Sequence, residues 1–220
     1  MALSVGLLGF GTVGQAVARL LVERGDGLLT LSHIFNRNIA RKRVDWIPDS
    51  VVWTDRVDDV LEANVDVIVE VVGGLDPARG WHERAIDAGR PIVTANKQLI
   101  ATHGQALLTR AAARGVELLF EAAVGGGIPV VRGLREGIAA DRLTTVSGIL
   151  NGTCNYILTR MESADLAFDA ALKEAQELGF AEADPTDDLD GYDARAKLCI
   201  LARVGLGLDI APADVPCESI

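Results

Sequence analysis

The sequence predicts an α/β fold, in which helices cover both faces of a doubly wound parallel sheet, followed by a smaller, partial α+β domain. Short apolar runs alternate with amphipathic segments along more than half of the 220 residues. One of these runs, residues 65–72, is almost wholly apolar, as is typical of strands with helices on both faces. A glycine-rich turn joins the first apolar run to the first amphipathic segment.

The elements of the first domain follow from these patterns in order. A strand at residues 3–8 leads through the glycine turn into a helix at residues 15–23, and a second strand covers residues 28–35. The later elements alternate in the same way, with helices at residues 77–88 and 104–113 and strands at residues 65–72, 91–94 and 116–121.

The pattern changes after the glycine-rich residues 124–129. This change predicts a boundary near residue 130, between domains of residues 1–130 and 131–220. The second domain is predicted to contain a strand at residues 143–150. Its helices are predicted at residues 130–137, 155–161, 167–178 and 193–204.

Composition and charge exclude several classes of protein. No apolar run is long enough to span a bilayer, and the formal net charge of −10 disfavours a nucleic-acid surface. The start Met1-Ala2-Leu3-Ser4 lacks the basic region of a signal peptide, and Cys154, Cys199 and Cys217 are too scattered for a disulfide framework. We therefore expect a cytoplasmic protein that binds a small molecule, and neither nucleic acid nor membrane.

The glycine turn Gly9-Phe10-Gly11-Thr12-Val13-Gly14 matches the fingerprint of a dinucleotide-binding, Rossmann-type fold, in its required place between a strand and a helix. Its glycines would allow a tight turn, close approach of a pyrophosphate and close packing of helix on strand. The helix N-terminus would add N–H donors for phosphates. All six residues are therefore candidate cofactor ligands, and the alternative is a glycine-rich turn without a ligand.

The second strand ends in Asn36 and Arg37, where a site for NAD usually presents an acidic residue to the ribose 2′-hydroxyl. A guanidinium there, with residues 41–43 (Arg-Lys-Arg) close behind, favours a 2′-phosphate. Asn36 and Arg37 are thus candidate cofactor ligands, and NADP is favoured over NAD. NAD and a merely solvated basic turn remain alternatives.

A lysine follows the predicted strand at residues 91–94. Asn96 can cap the next helix, which places Lys97 in its first turn. A cation there opposes the helix dipole. Lys97 is therefore either simply exposed or retained for an anionic cofactor or a developing oxyanion.

The segment from Gly179 to Lys197 places many acidic residues ahead of one lysine. A calcium loop is an alternative, but its first and twelfth positions would be Thr186 and Lys197, which do not suit calcium. Asp193 and Lys197 are four residues apart and face the same side of a helix, either as an exposed ion pair or as part of a site.

Five segments, in the same order and over essentially the whole chain, resemble homoserine dehydrogenases. They are Gly9–Gly14, Thr94–Lys97, Glu121–Pro129, Gly148–Leu158 and Gly179–Lys197. The resemblance implies an NAD(P)-dependent oxidoreductase that interconverts L-homoserine and L-aspartate 4-semialdehyde in threonine and methionine biosynthesis.

The resemblance also implies which residues bind the substrate, and these are Thr153, Glu182, Asp188, Asp193 and Lys197. The carboxylates of Glu182 and Asp188 would meet the substrate's ammonium group. Thr153 would lie near the substrate, although its hydroxyl could equally cap a helix.

By the same resemblance, Lys97 and Lys197 form the catalytic pair, with Asp193 nearby. Reduction of an aldehyde by hydride builds charge on its oxygen, and a lysine ammonium can stabilise that charge and supply the proton. Which of the two lysines transfers the proton is left open.

Glu121 and the main-chain carbonyls of Val124, Gly126 and Ile128 resemble the family's site for a monovalent cation, sodium. Hard oxygen ligands on a glycine-rich turn suit such an ion. A tight crossover between domains would need the same small residues, and both interpretations can hold.

The family normally continues well beyond residue 220 and forms homodimers, so we expect a shortened chain whose dimer formation and activity are open. Two alternatives to the dehydrogenase remain. One is a non-catalytic NAD(P)-binding module, and the other is a related amino-acid dehydrogenase, such as one acting on aspartate.

Overall fold

The computed structural model describes residues 2–24 and 27–220, in two compact units, one up to Gly127 and one of Ile128–Ile220. The division lies close to the boundary predicted near residue 130. The prediction that a signal peptide is lacking rests on residues 1–4, and of these Met1 lies outside the described residues. None of the helices in the described ranges is long and apolar enough to cross a membrane.

The described part of the first unit alternates strands with helices. The strands are β1 (Leu3–Leu8), β2 (Leu29–Phe35), β3 (Val52–Thr54), β4 (Val67–Glu70), β5 (Ile92–Thr94) and β6 (Leu118–Leu119). The helices are α1 (Thr12–Glu23), α2 (Ile39–Lys42), α3 (Val57–Leu61), α4 (Ala78–Asp87) and α5 (Lys97–Arg114). All strand pairs in it are parallel, in the order β3-β2-β1-β4-β5-β6, which confirms the predicted doubly wound fold.

The register of the strands brings their following loops to one edge of the sheet. Leu8 at the end of β1 is paired with Phe35 of β2 and Glu70 of β4, and Glu70 is paired with Thr94 of β5. These four strands therefore end level with one another. In such sheets ligands bind beyond the carboxyl ends of the strands, where the strand order reverses, and here that point lies between β1 and β4.

Buried apolar side chains hold the helices on the sheet. One cluster joins β1, β2, α1 and the segment before β3, and its fully buried members include Leu7, Phe10, Ala18 and Ile34. Burial of each large side chain of this kind contributes about 1.5 to 3 kcal/mol. The core therefore fixes the strand ends from which the candidate ligands project.

Two differences from the predicted elements have local causes. Helix α5 begins at Lys97, ahead of the predicted range 104–113, because the side-chain oxygen of Asn96 accepts the N–H of Leu99 and forms the predicted cap. The pattern did not predict β3, which has only three residues and pairs with β2 at the edge of the sheet. So short a run does not show an apolar alternation.

The second unit is helical in its described residues. Its helices are α6 (Val130–Arg132), which continues as a π-helical turn at Gly133–Gly137, α7 (Gly152–Ala164), α8 (Phe168–Glu177), α9 (Thr186–Leu189) and α10 (Tyr192–Leu206). Ile157 of α7 packs with Ala171 and Ala175 of α8 in a small buried core. Helix α9 packs against both α7 and α10, and residues of these three helices line a cavity of this unit.

The prediction of a strand at residues 143–150 is wrong, because the structure shows no strand among residues 128–220. A strand needs neighbours for its N–H and C=O groups, and no described segment of the unit forms a ladder with residues 143–150. The α+β interpretation of the second domain is therefore not met within residues 128–220.

Candidate functional site

The predicted glycine turn lies at the carboxyl edge of the sheet, between β1 and α1. Gly9 has a φ of +107°, a conformation that favours glycine. A Cβ added to Gly14 would collide with the carbonyl oxygen of Gly9, whereas a Cβ added to Gly11 would meet no protein atom within 4 Å. The fold itself therefore requires Gly9 and Gly14, and Gly11 faces open space before the N-terminus of α1.

A cavity of about 300 Å³ lies beside this turn, and Gly9, Gly11 and Asn36 are among the residues that line it. The exposed Thr12 and Val13 begin α1, whose first turn holds no acidic residue. The free N–H groups and positive dipole end of a 12-residue helix attract an anion. The turn and the cavity together fit the predicted dinucleotide.

Phe10, within the glycine turn, packs its side chain into the core. The residue is 0% exposed, and its ring lies 4.7 Å from that of Trp53 and 6.1 Å from that of Trp46, between centroids. The aromatic cluster supports the glycine turn. The side chain of Phe10 is therefore part of the core, while the residue itself still belongs to the lining of the cavity.

The two basic residues at the other end of the cavity are Arg37, which is exposed, and Lys42, which is half-buried in α2. Asn36 shapes the turn before them, because its Oδ1 accepts the N–H of Asn38 at 2.9 Å. Among residues 2–24 and 27–220, no acidic side chain pairs with Arg37. Its guanidinium can therefore meet an anionic ligand.

A buried carboxylate, which sequence reasoning missed, ties together the loops after β4 and β5. One oxygen of Glu70 accepts the N–H groups of Val72 and Gly73, at 2.7 and 3.0 Å. The other accepts the hydroxyl of Thr94 at 2.8 Å and lies 3.1 Å from Nε2 of His82. Burial alone would raise the pKa of Glu70, but these hydrogen bonds outweigh it and hold the pKa below its ordinary value.

The same edge carries Lys97. Asn96 caps α5 and also donates from Nδ2 to the carbonyl oxygen of Gly74, at 2.7 Å. Lys97 is half-buried in the first turn of α5, as predicted. The lysine therefore lies on the sheet edge that also holds the glycine turn.

A second cavity, of about 510 Å³, lies in the second unit between the start of α7 and the start of α10. The sequence-predicted residues that it brings together are Thr153, Asp188, Asp193 and Lys197. Glu182 does not line it. That residue is exposed on the loop before α9, so the structure separates it from the other four.

Lys197 and Asp193 form an ion pair at this cavity. Nζ of Lys197 lies 2.7 Å from Oδ2 of Asp193 and donates to the carbonyl oxygen of Leu150 at 2.8 Å. The side chains are only 19% and 4% exposed, so the alternative of an exposed surface pair is wrong. The two contacts use two of the three N–H donors of the ammonium group.

Asn151 joins two carboxylates of this site, and sequence reasoning did not single it out. Its Nδ2 donates to Oδ1 of Asp188 at 2.6 Å and to Oδ2 of Asp193 at 2.8 Å. Its Oδ1 accepts the N–H of Cys154 at 2.8 Å and so caps α7. An asparagine before Gly152 at a helix start was the available signal, but it indicates only the cap.

Thr153 is buried at this cavity, and the alternative that its hydroxyl caps a helix is wrong. Asn151 caps α7, so Thr153 does not. Its Oγ1 lies 2.8 Å from Oδ2 of Asp188 and 2.7 Å from the carbonyl oxygen of Phe180. A hydroxyl has one hydrogen, so it donates to one of these two oxygens at a time.

The residues of the predicted cation site run from Glu121, near the end of the first unit, to Ile128, the first residue of the second. Glu121 begins a 3₁₀ turn whose carbonyl accepts the N–H of Val124 at 3.3 Å, and Gly126 follows in a left-handed conformation. Ile128 is the first residue of the second unit, and its carbonyl accepts the N–H of Val130. Within the described ranges, no group of three or more His, Cys, Asp or Glu could hold a metal ion.

Two family models match the chain, one within each unit. The family model described as "Homoserine dehydrogenase, NAD binding domain" matches residues 9–121, and the model described as "Homoserine dehydrogenase" matches residues 129–220. The homoserine dehydrogenase of Bacillus subtilis is 41% identical over 226 residues, and that of Synechocystis is 42% identical over 225 residues. Each alignment covers 100% of this chain and 52% of the relative. The chain thus spans about half the length of the curated relatives it matches.

Solved structures show the same relationship. A homoserine dehydrogenase from Thiobacillus denitrificans superposes with a TM-score of 0.89 at 41% identity, over 100% of this chain and 52% of that one. A hyperthermophilic archaeal homoserine dehydrogenase in complex with NADPH superposes with a TM-score of 0.82 at 29% identity, over 95% of this chain and 71% of that one. The chain therefore belongs to the homoserine dehydrogenase family.

Proposed function

We propose that this protein interconverts L-homoserine and L-aspartate 4-semialdehyde. In the oxidative direction, the hydroxyl-bearing carbon of homoserine gives up a hydride and the hydroxyl gives its proton to a base. A bound NAD(P)⁺ supplies the hydride acceptor. The observation that carries the proposal is the buried pair of Lys197 and Asp193 at a cavity, in a family member that also has the dinucleotide turn.

Lys197 is proposed to transfer the proton. Asp193 and the carbonyl of Leu150 fix its Nζ, and within the described residues the third N–H donor is left for a substrate oxygen. In the reductive direction this donor stabilises the charge that develops on the aldehyde oxygen and then supplies the proton. In the oxidative direction the neutral amine accepts it. Lys97 is assigned to the same reaction on the resemblance.

The ammonium group of the substrate is proposed to bind the acidic part of the cavity. Asp188 is half-buried there, and a carboxylate suits an ammonium ion. Thr153 lies beside Asp188 and is the candidate for a further polar contact. For Glu182, only the resemblance supports a role in binding the ammonium group, because its exposed side chain lies outside this cavity.

The first unit is proposed to bind NADP in preference to NAD. The glycine turn would hold the pyrophosphate, and Arg37 with Lys42 would meet the 2′-phosphate. The superposition on a relative solved with NADPH supports a nicotinamide cofactor. The absence of an acidic residue at Asn36 and Arg37 is what favours the phosphorylated form.

Sodium is proposed to bind the carboxylate of Glu121 and the main-chain carbonyls of Val124, Gly126 and Ile128. Oxygen donors of this kind suit a hard monovalent cation. Its role would be to stabilise the turns of residues 121–128. We also propose that the protein acts in threonine and methionine biosynthesis, in the cytoplasm and as a pair of two copies.

The direct test is homoserine-dependent reduction of the cofactor, followed by absorbance, with the purified chain and either NADP⁺ or NAD⁺. L-Aspartate serves as the competing substrate, and the cofactor without an amino acid gives the background rate. In parallel, cofactor binding is titrated by the fluorescence of Trp46, Trp53 and Trp81, which all lie in the first unit.

We expect homoserine-dependent reduction that is faster with NADP⁺ than with NAD⁺. Cofactor binding without turnover of any amino acid would contradict the proposed activity and favour a non-catalytic binding module. Equal or faster turnover of L-aspartate would instead indicate a different amino-acid dehydrogenase.

A further inference from the structure

Asn151 occupies the point at which the acidic side chains of the second site meet. Its residue is 8% exposed, and both hydrogens of its amide are used by carboxylates, one on Asp188 and one on Asp193. The same oxygen of Asp193 also accepts from Nζ of Lys197, at 2.7 Å. One amide therefore connects the proposed ammonium-binding carboxylate to the partner of the proposed proton donor.

The orientation of this amide is fixed independently of the carboxylates. Its Oδ1 accepts the N–H of Cys154 as the cap of α7, which turns Nδ2 toward Asp188 and Asp193. Two neighbouring carboxylates repel each other, and hydrogen-bond donors placed between them offset this repulsion. The cap thus aims two donors at a pair of like charges.

We propose that Asn151 is a positioning residue for the reaction. It holds Asp188 and Asp193 in a fixed relation and, through Asp193, sets the position of Nζ of Lys197. This inference rests on the proposed function of the same cavity. Asn151 need not touch the reacting atoms, because its effect passes through the two carboxylates.

Two substitutions separate this role from capping alone. Asn151→Ser keeps a good capping oxygen but removes both donors to the carboxylates. Asn151→Asp keeps the shape and the capping oxygen but places the second oxygen of a third carboxylate group against Asp188 and Asp193. If Asn151 were only a cap, Asn151→Ser would resemble the wild type. If it positions the carboxylates, Asn151→Asp is the more damaging of the two.

The expected results are measured as kcat and KM for L-homoserine at a pH where the carboxylates are ionised. Loss of the two donors to the carboxylates of Asp188 and Asp193 should lower kcat/KM about 10-fold or more in Asn151→Ser and about 100-fold in Asn151→Asp. The loss should appear in both constants, since Asp188 acts on binding and Lys197 on proton transfer. Ile157→Val, a buried change in the same helix α7, is the control for general destabilisation and should leave kcat/KM unchanged.

A second measurement does not depend on turnover. Crystal structures of the wild type and Asn151→Ser should show the carboxylates of Asp188 and Asp193 moved apart in the variant, with α7 still capped. Unmoved carboxylates, or kcat/KM of Asn151→Ser within twofold of the wild type, would overturn the inference. A wild type without homoserine turnover would contradict the proposed function, whereas the carboxylate positions would still decide the role of Asn151.

Discussion

Single residues show which side chains are committed to the fold and which face a ligand. Glu70 and Asn151 are buried with their polar atoms paired, so they organise their neighbours. Arg37 lines a cavity and, among the described residues, has no acidic partner. Lys197 is mostly buried but retains one donor for a substrate. Substitution of a residue committed to the fold should therefore change stability or local geometry, whereas substitution of a residue that faces a ligand should change binding or turnover.

Arg37→Ala should weaken NADP binding more than NAD binding, because only NADP offers a 2′-phosphate to the guanidinium. A charge-assisted contact of this kind contributes about 1.5 to 3 kcal/mol, which corresponds to a roughly 10-fold to 100-fold change in affinity. Tryptophan fluorescence titration measures both affinities. Arg114→Ala, an exposed arginine at the end of α5, is the matched control. An equal fall in both affinities of Arg37→Ala would show that the 2′-phosphate assignment is wrong.

The sequence was informative for residues with a local or familial signature. Lys197, Asp193, Asp188 and Thr153 were named from the resemblance, and the structure gathers them at one cavity. Asn151 could not be found in this way, because its partner Asp188 is 37 residues away and only the fold brings them together. Roles that depend on contacts across the fold leave no pattern along the chain.

Whole elements were predicted where their apolar pattern was long enough. Strands β1, β2 and β4 and helix α4 lie within one or two residues of their predicted ranges. The strand expected at residues 143–150 lacks a described partner, and a pattern of side chains does not specify a partner. Element type therefore followed from periodicity, while pairing did not.

The turn between β1 and α1 gives a prediction that separates folding from cofactor binding. Gly11→Ala should leave the free energy of unfolding unchanged and weaken cofactor binding, because its Cβ meets no protein atom but enters the proposed pyrophosphate space. Gly14→Ala should weaken both, since its Cβ collides with the carbonyl of Gly9 and overpacking costs about 1 to 3 kcal/mol.

The control for these two variants is Gly80→Ala in α4, where a Cβ meets nothing. It should stabilise the helix by up to about 1 kcal/mol and leave cofactor affinity unchanged. Urea unfolding followed by tryptophan fluorescence, together with the cofactor titration, measures both quantities. Normal cofactor affinity in Gly11→Ala would refute the assignment of this turn to the pyrophosphate.

The loops after β4 and β5 give a prediction for pH. Because folding lowers the pKa of Glu70, its ionised form stabilises the folded state above the ordinary pKa of 4.5, and this stabilisation is lost as pH falls through the lowered value. Glu70→Gln should lower the free energy of unfolding of the first unit by about 1 to 3 kcal/mol near neutral pH. It should also make that free energy less dependent on pH on the acid side.

Unfolding of the first unit is followed by tryptophan fluorescence in urea at a series of acidic pH values. Glu117→Gln, which removes an exposed carboxylate before β6, should keep the wild-type profile. An acid profile of Glu70→Gln identical to that of the wild type would mean that Glu70 is not ionised in the folded protein.

At the scale of the whole molecule, the two units divide the proposed work. The first unit holds the glycine turn and the cavity with Arg37 and Lys42 at one end, and the second holds the carboxylates and Lys197. Family models match the two parts separately, at residues 9–121 and 129–220. The proposal therefore requires that cofactor binding and proton transfer can be impaired independently.

Lys197→Ala tests this division most directly, with turnover of L-homoserine and cofactor affinity measured on the same preparation. Lys173→Ala, on the surface of α8 with a side chain 77% exposed, is the matched control and should behave as the wild type. We predict that Lys197→Ala binds the cofactor within about twofold of the wild type but turns over roughly 100-fold to 1,000-fold more slowly. Turnover in Lys197→Ala comparable to that of Lys173→Ala would contradict the account, because the proton would then be transferred by another group.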